Sequence, residues 1–242
     1  MISTTITARE RLTEQDICEM LSLHCRYFAA VQEEGFRRDL AEKDWVITLR
    51  DGNTLVGFST QKLLFLTVQG RPCRFLFSGD TVVDQPYWNQ QGLSGGWVHL
   101  AMKLASEQTC HPLYWFLICK GFRTYRFLST FFREYSPKPT PSTEENHLRP
   151  LLDAVASTRY GALYDAASGV IRFAGKGDRL ADNWAKVAPH RLTDPHVAFF
   201  LSANPGWRNG DELACLAPIH RENLNPLGLR VLRTTTVTWD NT

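Results

Sequence analysis

Apolar positions change their period several times along this chain, and each change marks an element. After a short polar lead, Ile17, Met20, Leu21, His24 and Phe28 recur at helical spacing behind Thr13 and Asp16, a form of capping box, which predicts a helix over 14–29. A second helical pattern covers 30–43 and ends before Trp45. Trp45-Val46-Ile47-Thr48-Leu49 reads as a strand stopped by the turn signal Asp51-Gly52-Asn53. Leu55 to Val68 is a long second strand, bent near Gly57, and Gln69-Gly70 turns the chain into a third, Arg71 to Val83. Three antiparallel strands are therefore expected.

From Val83 the chain passes Tyr87 and Trp88 into Asn89-Gln90-Gln91-Gly92-Leu93-Ser94-Gly95-Gly96. Helical periodicity starts at Trp97, with Leu100, Ala101 and Leu104 continuing the apolar stripe. Strand, glycine turn and helix in that order suit an anion. The first helical turn has N–H groups without intrahelical partners, and glycines let a phosphate come close.

Leu113 to Cys119 is a continuous apolar run, the pattern of a strand covered on both faces. Gly121 breaks it, and Phe122 to Phe132 reads as a helix. Three prolines between Ser136 and Asn146 forbid regular structure and divide the chain into 1–136, a linker at 137–147, and 148–242. In the last part Leu148 to Val155 looks helical, and Gly161 to Phe173 looks like a hairpin turning at Ala167-Ser168-Gly169. Asp194-Pro195 opens a helix through Leu201, and Asp211 to Ile219 fits a final strand.

Composition narrows the classes. The chain has 242 residues with 43% hydrophobic content, enough for one domain with two lobes. A net charge of +2 without any block of like charges argues against nucleic acid as a partner. No apolar run approaches the roughly 20 residues of a transmembrane segment, and the polar N-terminus lacks a signal-peptide core, so a cytoplasmic location is expected. The six cysteines are scattered without metal-ligand spacing; reduced thiols and no metal are expected.

Two helices, an antiparallel meander, a glycine turn, a helix, a buried strand and another helix resemble the GNAT superfamily of acyl-CoA-dependent N-acyltransferases, over about residues 10–135. The family's pyrophosphate loop, Gln/Arg-x-x-Gly-x-Gly/Ala, corresponds here to Asn89-x-x-Gly92-x-Ser94, with Asn89 and Ser94 replacing the usual residues. The resemblance implies an α/β fold with a mixed sheet, GNAT-like with a C-terminal extension. In it, 1–136 is the donor-binding core, and 148–242 completes the sheet and shapes the acceptor site. The donor would be an acyl-CoA or the phosphopantetheine of an acyl carrier protein, and the acceptor an amine, a peptide side chain among the options. The aromatic-rich stretch Leu113–Phe132 and the long extension also resemble GNAT-type enzymes that carry fatty acyl groups, including maturases of lipopeptide pathways.

On that reading Thr81, Val82 and Val83 offer backbone N–H groups to the thioester and pantetheine, and Asn89, Gln90, Gln91, Gly92, Leu93, Ser94, Gly95 and Gly96 hold the donor's phosphates. Asp80, a carboxylate beside apolar neighbours, is the first candidate for general base, against a turn or edge carboxylate. His99 is a second candidate, against a half-buried helix residue. Tyr125 would protonate the leaving thiolate, against an ordinary packed aromatic. Cys119 reads as a structural thiol rather than a nucleophile. Lys120, Arg123, Arg126 and Arg133 lie largely on one side of their helix, from which they would reach phosphates or an acidic carrier, Arg123 and Arg126 first, against a solvated basic face. Phe58, Leu63, Leu64, Phe65, Leu66, Phe75, Phe77, Trp115 and Phe116 line either an acyl tunnel or a core. A non-catalytic module that binds acyl thioesters or acyl carrier protein is the alternative to an enzyme.

Overall fold

Local chemistry sets the first elements. The polar lead is itself a strand, β1 (Ile2–Ala8), in which Thr4 and Ile6 take buried positions; threonines on the inner face hid its alternation. Helix α1 (Glu14–Tyr27) starts at the expected capping box: the Thr13 side chain accepts from the Asp16 N–H and the Asp16 carboxylate from the Thr13 N–H. A short strand β2 (Phe28–Ala29) follows, then α2 (Glu33–Ala41), shorter than the pattern suggested. Strands β3 (Trp45–Asp51), β4 (Thr54–Val68) and β5 (Arg71–Val83) form the expected meander. Its second turn puts Gln69 and Gly70 at φ 50° and 77°, the twist-matching geometry of a two-residue hairpin.

The rest of the chain is α3 (Gly92–Ser106), β6 (Leu113–Cys119), α4 (Phe122–Phe131), α5 (Glu145–Tyr160), β7 (Tyr164–Asp165), β8 (Val170–Ile171), β9 (Arg179–Leu180), α6 (Pro195–Ala203), β10 (Glu212–Pro218), α7 (Pro226–Thr234) and β11 (Thr238–Asp240). The computed structural model describes residues 1–107, 110–140, 145–175 and 177–240. Part of the expected linker, 141–144, lies outside the described residues, and its last three residues, 145–147, already belong to α5. Helix α7 and strands β2, β9 and β11 carry no strong pattern in the sequence.

Among the described residues a nine-stranded mixed sheet runs β11-β1-β3-β4-β5-β6-β10-β8-β7, parallel at β11–β1 and β5–β6 and antiparallel elsewhere. Helices α3, α4, α6 and α7 cover one face, packing Trp97, Tyr125, Phe200 and Val231 against Ile47, Leu76, Trp115 and Leu213. On the other face α1 and α2 cover β3 to β5, and α5 covers β5, β6, β10 and β8. Most of the aromatics proposed for a tunnel are core: Phe58, Phe75, Phe77, Trp115 and Phe116 are buried in these clusters, whereas Phe65 is exposed. No described helix is long and apolar enough to cross a membrane.

Candidate functional site

The sheet opens at its centre. Strands β5 and β6 pair from Arg74↔Leu113 to Ser78↔Leu117 and then part, although β5 continues to Val83. On its other edge β5 stays bonded to β4, with a register slip between Ser59↔Thr81 and Gln61↔Ser78. Thr60 thus faces both Gly79 and Asp80, a β-bulge, which bends β5 where the fork begins. Only glycine fits at 79, since a Cβ there would stand 2.6 Å from Thr60 Oγ1 and 2.8 Å from Lys43 Cε.

Backbone direction along the free edge follows from the register. The Asp84 N–H donates to the Val56 carbonyl, so the pair two residues back, Val82↔Phe58, also faces β4. Thr81 and Val83 therefore turn their N–H groups toward the opening, and Val82 does not. The expectation of three successive donors is corrected to two by the alternation of the strand. The Val83 carbonyl, on that same edge, accepts from Trp88 Nε1 at 2.8 Å.

On the α1 side of the fork lies a cluster of charges. His24 Nε2 is 2.9 Å from Asp178 Oδ2, Lys120 Nζ is 2.5 Å from Asp178 Oδ1 and 3.5 Å from Glu212 Oε1, and the ligand atoms of His24, Asp80 and Asp178 lie within 4.8 Å of one another. Burial pushes the Asp80 carboxyl above the usual range, against the attraction of His24 and Lys120. Burial also lifts Glu212 to about 7, with Lys120 opposing. At Asp178 the His24 hydrogen bond and the Lys120 charge outweigh burial and hold the carboxyl well below the ordinary value. Lys120 is half-buried, and against the effect of desolvation the three neighbouring carboxyl groups hold its proton more tightly than usual. The fork thus sets a carboxyl of raised proton affinity beside a fixed cation.

Of this cluster the sequence pointed to Asp80 as a base and to Lys120 as part of a basic face for phosphates or an acidic carrier. Lys120 was expected on a basic helix face; instead it directly follows β6, and its ammonium lies beside Glu212 at the start of β10. A signal for Glu212 existed, an acid opening an otherwise apolar strand. Asp178 arrives from the segment leading into β9, which is fixed by Phe28↔Leu180 and Ala29↔Arg179. No local pattern could place it.

On the α3 and α4 face the fork holds a cavity of about 40 Å³, lined by Ser59, Ser78, Thr81, Leu93, Ser94, Trp97, Trp115, Leu117, Thr124, Phe127 and Phe131. A hydrogen-bond chain runs along its sheet side. Trp115 Nε1 donates to Ser78 Oγ at 2.9 Å, Ser78 to Gln61 Oε1 at 2.7 Å and Gln61 Nε2 to Ser59 Oγ at 2.7 Å, with Ser59 Oγ 2.7 Å from Thr81 Oγ1.

The glycine turn is differently built from its expectation. Helix α3 begins at Gly92, not Trp97, with Gln91 at its N-cap position. A Cβ on Gly92 would collide with Leu49 and Thr4, one on Gly95 with Thr235, and one on Gly96 with Ile47 and Thr4. These glycines let α3 lie close against the sheet and the end of α7. The N–H groups of Gly92, Leu93 and Ser94 still precede the first intrahelical bond, Gly95 N–H to the Gln91 carbonyl at 2.7 Å. Asn89, Gln90 and Gln91 are exposed beside them.

The other expected residues scatter. Arg123 stacks on Trp88, 4.5 Å from the ring centre, and donates to the Trp184 carbonyl at 3.2 Å, which keeps a guanidinium next to the turn. Burial and the neighbouring Arg191 lower its proton affinity. Arg126 instead pairs with Asp194, and Arg133 donates to the Leu224 carbonyl, so the basic face is not a common surface. Tyr125 is fully buried and donates to the Pro137 carbonyl at 2.8 Å. His99 Nε2 contacts the Thr235 carbonyl at 3.0 Å. Cys119 is buried 3.9 Å from Cys215, and burial raises its thiol's proton affinity, which rules against a thiolate.

No family model matches the sequence, and no curated protein does. Among solved structures the chain is similar to a conserved protein of unknown function from Enterococcus faecalis, a probable N-acyltransferase, at 13% identity and TM-score 0.42 over 55% of this chain and 33% of that one. A GCN5-related N-acetyltransferase from Kribbella flavida gives 15% identity and TM-score 0.41, over 55% and 34%. Arabidopsis thaliana NAA60 in complex with acetyl-CoA gives 14% and 0.40, over 56% and 87%. The chain spans about a third of the length of the first two. Superpositions this partial say nothing of chemistry, which has to come from the side chains of the fork.

Proposed function

We propose that this chain is an N-acyltransferase that moves an acyl group from a thioester to an amine. One observation carries the reading: two parallel strands part at the centre of the sheet, with free backbone donors on the edge and a carboxyl of raised proton affinity on one face. A thioester laid along β5 would accept hydrogen bonds from Thr81 and Val83. An amine entering from the α1 side would meet Asp80. Its nitrogen attacks the thioester carbon, the C–N bond forms as the C–S bond breaks, and the amine's proton passes to Asp80. The thiolate leaves and takes a proton from solvent, since Tyr125 is engaged elsewhere.

Coenzyme A is the simplest donor, its phosphates meeting the first-turn N–H groups of α3 and the Arg123 guanidinium. A carrier-protein phosphopantetheine needs only the fork. The cavity favours a short acyl group over a fatty one: about 40 Å³ is small beside the roughly 150 Å³ of an apolar cavity that holds benzene. The acceptor is an amine small or extended enough to reach a buried carboxyl, such as a peptide side chain.

Mass spectrometry after incubation with acyl-CoAs of graded length and a panel of amines tests this. Acylated amine and free thiol are expected, falling off with chain length and abolished by Asp80→Asn. Tight donor binding with no product from any acceptor would favour the second reading, a thioester-binding module without turnover, for which the displaced Tyr125 hydroxyl speaks.

A further inference from the structure

The hydrogen-bond chain beneath the cavity has a direction. An indole N–H can only donate, so Ser78 accepts from Trp115 and must spend its own hydrogen elsewhere, on Gln61 Oε1. This fixes the Gln61 amide with its nitrogen toward Ser59; the reverse orientation would leave the Ser78 hydrogen without an acceptor. Between Ser59 and Thr81 either hydroxyl can donate; Ser59 is the donor in the arrangement that leaves no interior hydroxyl hydrogen without an acceptor. The Thr81 hydrogen is then the last of the series, and among the described residues it has a long contact of 3.4 Å with the Gly79 carbonyl.

Burial runs the same way. Trp115, Ser78, Gln61 and Ser59 are 5%, 2%, 0% and 4% exposed, so water cannot reorder them, whereas Thr81 is half-buried at the fork. A relay of satisfied interior groups ends at one hydroxyl that faces the cavity with its hydrogen nearly free. Thr81 also stands next to Asp80 in the bulge, so its backbone N–H and its hydroxyl serve the same opening.

We propose that the Thr81 hydroxyl, aimed by the Trp115–Ser78–Gln61–Ser59 chain, donates a hydrogen bond to the thioester oxygen as negative charge develops on it. This rests on the acyltransferase reading and adds a side-chain donor to the backbone N–H groups. Thr81 keeps its proton throughout; the amine's proton still goes to Asp80 and the sulfur still leaves as thiolate. Gln61 is a positioning residue, acting through Thr81.

Thr81→Val preserves shape and backbone while removing the hydroxyl. In steady-state kinetics with acetyl-CoA, kcat should fall about 100-fold, the usual loss for one such donor, with the KM for acetyl-CoA nearly unchanged. Thr81→Ser should restore most of the rate. Gln61→Met, which fills the same space, should lower kcat less, and combined with Thr81→Val should add nothing, because it works only through the hydroxyl. Wild-type rates in Thr81→Val, or additive losses in the double variant, would overturn the proposal. Should Thr81→Val fail to fold, the Thr81→Ser and Gln61→Met pair decides: an unchanged kcat in Gln61→Met overturns it. A wild-type chain that consumes no acetyl-CoA with any amine overturns the acyltransferase reading instead.

Discussion

Glu212 is the residue whose charge state the surroundings alter most plainly. Its proton affinity rises from the ordinary 4.5 to about 7, so between these values the folded chain keeps a proton that the unfolded chain has released. Stability must therefore fall as pH rises through this window, and the loss is complete above it. Glu212→Gln removes the titration: urea melts should show wild type losing on the order of 3 kcal/mol relative to the variant between pH 4.5 and 8. A pH-independent difference would mean that Lys120 holds Glu212 ionised throughout. Asp178 acts in the opposite sense, since its stabilisation is present above the ordinary aspartate range and fades as pH falls below it. Activity should fall on acidification through the raised value of Asp80, seen as an acid limb in the wild-type kcat/KM profile; a flat profile would remove Asp80 from the base role. Only the raised proton affinity of Asp80 was anticipated from the sequence, from the short strand segment Thr81-Val82-Val83 beside it. Its partners were not, since they come from positions 24, 120, 178 and 212, and only the fold brings them together.

At the level of elements the glycine turn teaches most. Its order, strand then glycines then helix, could be read directly, and the three meander strands fall where the pattern put them. What the glycines do could not be read, because the atoms that require them, on Thr4, Ile47, Leu49 and Thr235, belong to other elements. Gly95→Ala should destabilise the chain by about 1–3 kcal/mol through collision with Thr235, and Thr235→Gly should recover part of the loss in thermal melts. The two arginines of α4 should separate in the same way. Arg123→Glu should weaken donor binding at least 10-fold, as one charge-assisted phosphate contact is worth about 1.5–3 kcal/mol. Arg126→Glu should leave binding intact and lower stability, because its partner Asp194 caps α6 through the His196 N–H. Calorimetric titration with coenzyme A, alongside urea melts, measures both.

Across the whole molecule the sheet joins segments from both ends of the chain. The Pro-rich stretch interrupts the chain but not the sheet, which 148–242 was expected to complete and does. Beyond it, β10 pairs with β6 from Leu213↔Cys119 to Pro218↔Tyr114, and β11 closes the far edge on β1. Residues 1–136 alone would expose β6 along a full edge and strip its Trp115 and Leu117 of neighbours. That fragment should not fold, giving poor chemical-shift dispersion and no cooperative melt, whereas the full chain should unfold in one transition. The fork at Ser78 and Leu117 also gives β5 an alternating clock. The Val82 amide, tied to β4, should exchange its hydrogen for deuterium slowly. Those of Thr81 and Val83 should exchange fast in the free protein and slow down once a donor lies along them, so the odd-numbered amides of one strand report occupancy without any label or turnover.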